Sequence, residues 1–197
     1  MSVDLAGLLG LARLSVAEPR RAARFLIASD LPMQARWLAL ATVVVVSVLL
    51  AQATMMLVGA IPVDGEAPLS AALTTGFVQA GVMLVISGGI ARVGQALGGR
   101  GEFPDALLLV VWAEVTLLLL QLAQLVLGLA IPLLADLLLV AGMVIFFWQL
   151  TQFTMELHGF KSPVKVFFAL VAGFFVAGLV MLTLLGMVGL APGGMGF

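Results

Sequence analysis

Six polar side chains stand where the surrounding residues could only pack: Glu114, Gln121, Gln124, Gln149, Gln152 and Glu156. Gln121 follows Glu114 by seven residues and so shares its helical face, with Gln124 beside it. Gln149, Gln152 and Glu156 share a second face through spacings of three and seven. An ionised carboxylate deep in hydrocarbon costs about 2.5–3.5 kcal/mol even on lenient insertion scales. No Lys or Arg lies in the same apolar stretches to offset that cost. Glu114 is therefore expected to sit neutral and to donate to a glutamine. Two chemistries suit such a seam: proton or cation handling, and hydrogen-bonded glue between helices. The glue reading is favoured, with Gln149 and Gln152 as the expected neighbours of Glu114. Gln52, Thr54 and Gln79 extend the seam or settle local packing.

Other chemistry is sparse. His158 is the one histidine, beside Glu156 and Lys161, and a lone histidine with scattered carboxylates makes no metal site. It reads as a surface loop residue. Cysteine is absent, which removes disulfides, thiolate ligands and thiol nucleophiles. No H-E-x-x-H, G-x-S-x-G or P-loop motif occurs. Gly98-Gly99-Arg100-Gly101 is glycine-rich but follows an apolar helix rather than a strand, so it does not read as a phosphate cradle. The expectation is a protein without enzymatic activity, cofactor, metal or nucleic-acid partner.

The elements that carry these residues are membrane helices. The chain is 63% hydrophobic and 10% charged, against about 25% charged in a soluble domain. Between the loops Gly98–Asp105 and Leu157–Lys165 runs hydrocarbon broken only by Glu114, Asp136 and Glu156. As one helix it would measure about 77 Å, more than twice the ~30 Å hydrocarbon core. It must cross, turn near Pro132–Asp136 and return. The fold expected is an all-α, integral membrane five-helix bundle. Its spans cover about 37–60, 70–93, 105–129, 137–155 and 164–190, with a short tail at 191–197. Trp37 fits an interfacial anchor, and Ile61–Leu69 a short acidic loop.

Residues 1–36 form a basic segment. Leu5, Leu8, Leu9 and Ala12 share a helical face, and Ser15-Val-Ala-Glu18 before Pro19 fits a capping box. Arg20, Arg21 and Arg24 gather on one side of an amphipathic stretch, expected to lie on a membrane surface. No signal-peptide pattern is visible, so the segment is expected to persist. Five odd crossings put the termini on opposite sides. All nine Lys and Arg then fall on one: Arg13, Arg20, Arg21, Arg24 and Arg36, then Arg92 and Arg100, then Lys161 and Lys165. The positive-inside rule makes that side cytoplasmic and the C-terminal tail periplasmic. Ala72, Gly76 and Ala80, and Ala169, Gly173 and Ala177, form small-residue ridges expected to pack within the bundle.

Several stretches together resemble the Ypt-interacting-protein (Yip) domain family, in its bacterial branch. They are Glu18-Pro19, Leu31-Pro32, Gly98-Gly99-Arg100-Gly101-Glu102-Phe103 and Glu156-Leu157-His158-Gly159-Phe160-Lys161-Ser162. The Gly-Gly-x-Gly-x-Phe and His-Gly-x-x-Ser turns are the most specific of these. The resemblance implies five spans with a cytosolic N-terminus, and, from eukaryotic members, association with small GTPases of vesicle traffic and with membrane shaping. The function expected is binding of membrane partners, or organisation of the bilayer, at a bacterial inner membrane. The contact surface would comprise Arg20, Arg21, Arg24, Arg100, His158 and Lys161. Its partners would be the lipid bilayer, other membrane proteins or a second copy of the chain. A small transporter built on the Glu/Gln seam is the alternative.

Overall fold

A computed structural model describes residues 5–57 and 69–187. The acidic loop, the ends of the first and last spans, and the tail lie outside the described residues. Seven helices follow in order: α1 (Leu5–Ala17), α2 (Pro19–Ala28), α3 (Met33–Leu57), α4 (Leu69–Ala96), α5 (Phe103–Ala130), α6 (Pro132–His158) and α7 (Pro163–Met187). The described residues contain no strand. Helices α3 to α7 are long and apolar enough to cross a membrane, which makes this a multi-pass membrane protein.

Local chemistry marks each boundary. Proline occupies the first turn of α2, α5 and α6, where its missing N–H is harmless. Ser162 Oγ accepts from the Lys165 N–H at 3.5 Å where α7 begins. After α4, Gly98 takes φ +86°, while the Gly98 N–H donates to Gln95 O and the Gly99 N–H to Gly94 O. After α6, Gly159 takes φ +73° and the Phe160 N–H donates to Met155 O at 2.9 Å. Both turns are thus glycine-terminated Schellman closures, which stop a helix abruptly and satisfy its last carbonyls. The central reversal is tighter than the expected Pro132–Asp136 turn. It occurs at Ile131 alone, and Asp136 lies inside α6.

Helix α5 is the axis, packed against α3, α4, α6 and the short α1 and α2; α7 leans on α6 and α4. Phe146 and Phe147 of α6 meet Phe167 and Phe174 of α7 edge to face. Gly76 faces α3, where an added Cβ would meet Val44 and Val48 at 3.6 Å. The second ridge departs from expectation: a Cβ on Gly173 would meet nothing, and Ala169 is exposed. That face of α7 is left to lipid.

Burial is uneven along the axis. Ala106 to Val111 on α5 and Gln149 to Met155 on α6 are buried all the way round, whereas Leu133, Leu137, Leu139, Val140, Met143 and Val144 are exposed. A ~30 Å hydrocarbon core takes about 20 helical residues. With the reversal at Ile131 on one interface, that length reaches Val111 and Thr151. The fully buried turns lie beyond it, in a cap where protein replaces lipid around each helix. Trp37 and Trp148, each nearly half exposed, stand near the cap boundary as interfacial aromatics do.

Candidate functional site

The cap is where the polar chemistry gathers, and His158 is its pivot. Read from the chain alone as a surface residue, it is 3% exposed. Its Nδ1 accepts the Gly101 N–H at 3.1 Å, and its Nε2 lies 3.0 Å from Ile90 O. Both contacts are satisfied together only by the neutral tautomer with the proton on Nε2. The ring stacks on Phe160 at 5.2 Å, and Gly94, Gly99 and Gly101 wrap it so closely that a Cβ on any of them would overlap it. The α4–α5 turn is therefore closed onto the end of α6. Of the glycines that resembled a family signature, Gly99 and Gly101 admit the imidazole, while Gly98 supplies the left-handed turn.

A second tie joins the cap to α3. Arg36 is 4% exposed, pairs with Asp105 through Nη1 at 2.7 Å and donates from Nε to Leu31 O at 2.8 Å. Beside it lies an open hollow lined by Asp30, Pro32, Glu102 and Asp105, among others. The chain alone marks Arg36 only as one of nine basic residues on one side, because its partner stands 69 residues away.

Helices α1 and α2 complete the cap. Ser15 is wholly buried inside α1; its Oγ donates to Leu11 O and accepts from the Trp112 indole N–H at 2.7 Å. It caps no helix, and Glu18, at the start of α2, makes no side-chain cap bond. The apolar face of α2 (Ala22, Ala23 and Leu26) is buried, with α6 and α5 against the helix. Its outer face carries Arg21 and Arg24, both 66% exposed, in long ion pairs of 3.6 Å to Glu18 and 3.7 Å to Glu156. Arg20 turns inward: Nε donates to Gln152 Oε1 at 2.9 Å and Nη2 approaches Met155 Sδ at 3.2 Å. Arg100 and Lys161 are exposed on the two turns.

The expected seam between α5 and α6 is corrected. Glu114 faces α3 and α4, where its Oε1 accepts from Gln79 Nε2 at 2.9 Å and Ser47 Oγ at 3.2 Å. Gln149 donates instead to Thr116 Oγ1 at 3.2 Å, and Gln152 serves Arg20. Folding a hairpin predicts which residues are level, but not which way each points. Glu114 and Thr116 are two residues apart, about 200° round the helix, so they serve opposite neighbours. Gln121 and Gln124 lie nearer the reversal and join neither cluster. Ser47 had gone unremarked, although it is the one hydroxyl in the apolar run 43–50. Among the described residues no group of three His, Cys, Asp or Glu could hold a metal ion.

A family model described as the Yip1 domain matches residues 14–185. No curated protein and no solved structure matches the sequence. The matched region opens one residue before Ser15, which ties α1 to α5, and runs into the last turns of α7. It takes in the histidine latch, the Arg36–Asp105 tie and all five apolar helices; the chain belongs to the Yip1-domain family.

Proposed function

We propose that the chain is a non-enzymatic protein of a bacterial inner membrane that binds other membrane proteins, or organises the bilayer, through its cap. The observation carrying this reading is the cap itself. Two turns and two short helices are fastened around the ends of α3, α4, α5 and α6 by ties from His158, Arg36, Arg20 and Ser15, far more order than anchoring alone requires. All nine basic residues belong to this end, which supports a cytoplasmic orientation with the C-terminus periplasmic. Helices α1 and α2 widen the molecule on that side only, a shape suited to loading one leaflet. Crosslinkers placed at Arg100 and Lys161 in native membranes should capture a defined membrane protein or a second copy. Capture of lipid alone would remove the partner-binding form.

A second reading, transport of protons or cations, is favoured by one observation: Glu114 bound to Gln79 and Ser47 among apolar helices. Glu114→Gln separates the two. The amide keeps a carbonyl for both donors, so under the structural reading the variant matches the parent in stability and in proteoliposome flux. Glu114→Leu strands both donors and should cost about 1–2 kcal/mol in thermal unfolding. A flux that Glu114→Gln abolishes would favour transport.

A further inference from the structure

A cavity of about 190 Å³ opens where α2 meets α6, lined by Glu18, Pro19, Arg20, Arg21, Arg24, Trp148 and Gln152. Three guanidiniums face it and one carboxylate lines it. Arg20 is pinned through Nε by Gln152 and through Nη2 by Met155, which fixes the plane of its guanidinium and leaves the Nη1–Nη2 edge as the fork for phosphate oxygens. Arg21 and Arg24 are held only by long, exposed ion pairs, worth little and readily exchanged for a stronger anion. The cavity also sits at a telling height. Trp148 and Gln152 straddle Thr151, where the hydrocarbon count from Ile131 runs out, so its mouth lies at headgroup level with an indole along its lower wall.

The geometry points to a binding site for the phosphate of an anionic phospholipid, with Arg20 as the fixed fork, Arg21 and Arg24 as mobile clamps and Trp148 against the glycerol and upper acyl region. This goes deeper into the proposed working surface and rests on that reading only in placing α2 at a bilayer face. A lipid held there would bridge α2 to α6 and take over part of the charge that Glu18 and Glu156 now balance.

Native mass spectrometry of the purified full chain in mild detergent tests the site without any protein partner. Failure of the partner reading in membrane crosslinking therefore leaves it untouched, and the reverse also holds. Dioleoyl phosphatidylglycerol should be retained in preference to dioleoyl phosphatidylcholine. Arg21→Gln should lower that retention about fivefold and Arg20→Gln/Arg21→Gln further. Arg21 is largely exposed, so its variant tests the site even if Arg20→Gln loosens α2. Arg13→Gln, on the exposed side of α1, should change nothing. Equal retention of the two lipids, or an unchanged preference in Arg21→Gln, overturns the proposal. So does displacement of the lipid by equimolar glycerophosphate, which would assign the site to a free phosphate compound.

Discussion

Gly94→Ala, Gly99→Ala and Gly101→Ala should each destabilise the protein by about 3 kcal/mol, the upper range for overpacking a filled core. The cause is spatial. A Cβ on Gly94 or Gly99 falls on the His158 side chain, and one on Gly101 falls between that ring and Leu157 Cγ. The ring has nowhere to go, since Ile90 O, the Gly101 N–H and Phe160 hold its two nitrogens and one face. Gly88→Ala and Gly89→Ala are the controls. Both lie within α4 with nothing within 4 Å of the added carbon, so they should be neutral or slightly stabilising. His158→Ala alone should cost about 2–3 kcal/mol through a lost side chain and two lost hydrogen bonds. Combined with Gly94→Ala it should cost clearly less than the sum, because the ring that clashes is gone. Thermal unfolding of Gly94→Ala, His158→Ala and the double variant beside the parent in one detergent measures the coupling. Additive costs would mean that the glycines serve only their backbone turns.

Arg36→Leu should be the next most damaging single change, at about 3 kcal/mol. It removes the buried partner of Asp105 and the donor to Leu31 O, and leaves a carboxylate 27% exposed with no countercharge at 2.7 Å. One-sided loss of a buried pair is costly because the remaining charge stays poorly solvated. Arg36→Leu/Asp105→Leu should recover most of the loss, since removing both partners leaves no unpaired charge at the site. Protease sensitivity of the α2–α3 connection, followed with temperature, distinguishes the cases. The single variant should open there first and the double variant should not. Arg36→Lys should fall between them, as an ammonium supplies charge but cannot donate to both acceptors in Arg36's planar geometry.

The spans and their turns were legible in the sequence because hydrocarbon length is a one-dimensional quantity. A run too long to cross once must reverse, and glycine after an apolar helix marks where it stops. The grouping of basic residues was equally open to counting. What could not be read was direction around a helix axis. Glu114 pointed at α6 on paper and at α3 and α4 in space, because seven-residue spacing relates residues on one helix and says nothing of which neighbour they face. His158 was misplaced for a related reason. A histidine between a glutamate and a lysine reads as a loop residue, and its burial depends on three glycines of α4 and the α4–α5 turn. Arg36 and Asp105 are likewise ordinary as separate residues and become a tie only when α3 and α5 meet.

The uneven burial along the bundle bears on how the protein meets membranes of different thickness. Near the reversal, α5 and α6 carry leucines and valines that touch little protein, while at the other end 106–111 and 149–155 are buried all the way round. A bilayer a few ångströms thicker or thinner costs fractions of a kcal/mol per Å of mismatch, relieved by tilting or by local deformation of lipid. The uneven packing gives that strain an asymmetric outlet, because the thinly packed end has fewer protein contacts to lose on splaying or tilting than the end latched by His158. Hydrophobic mismatch would therefore load the end near the reversal first and the latched face last.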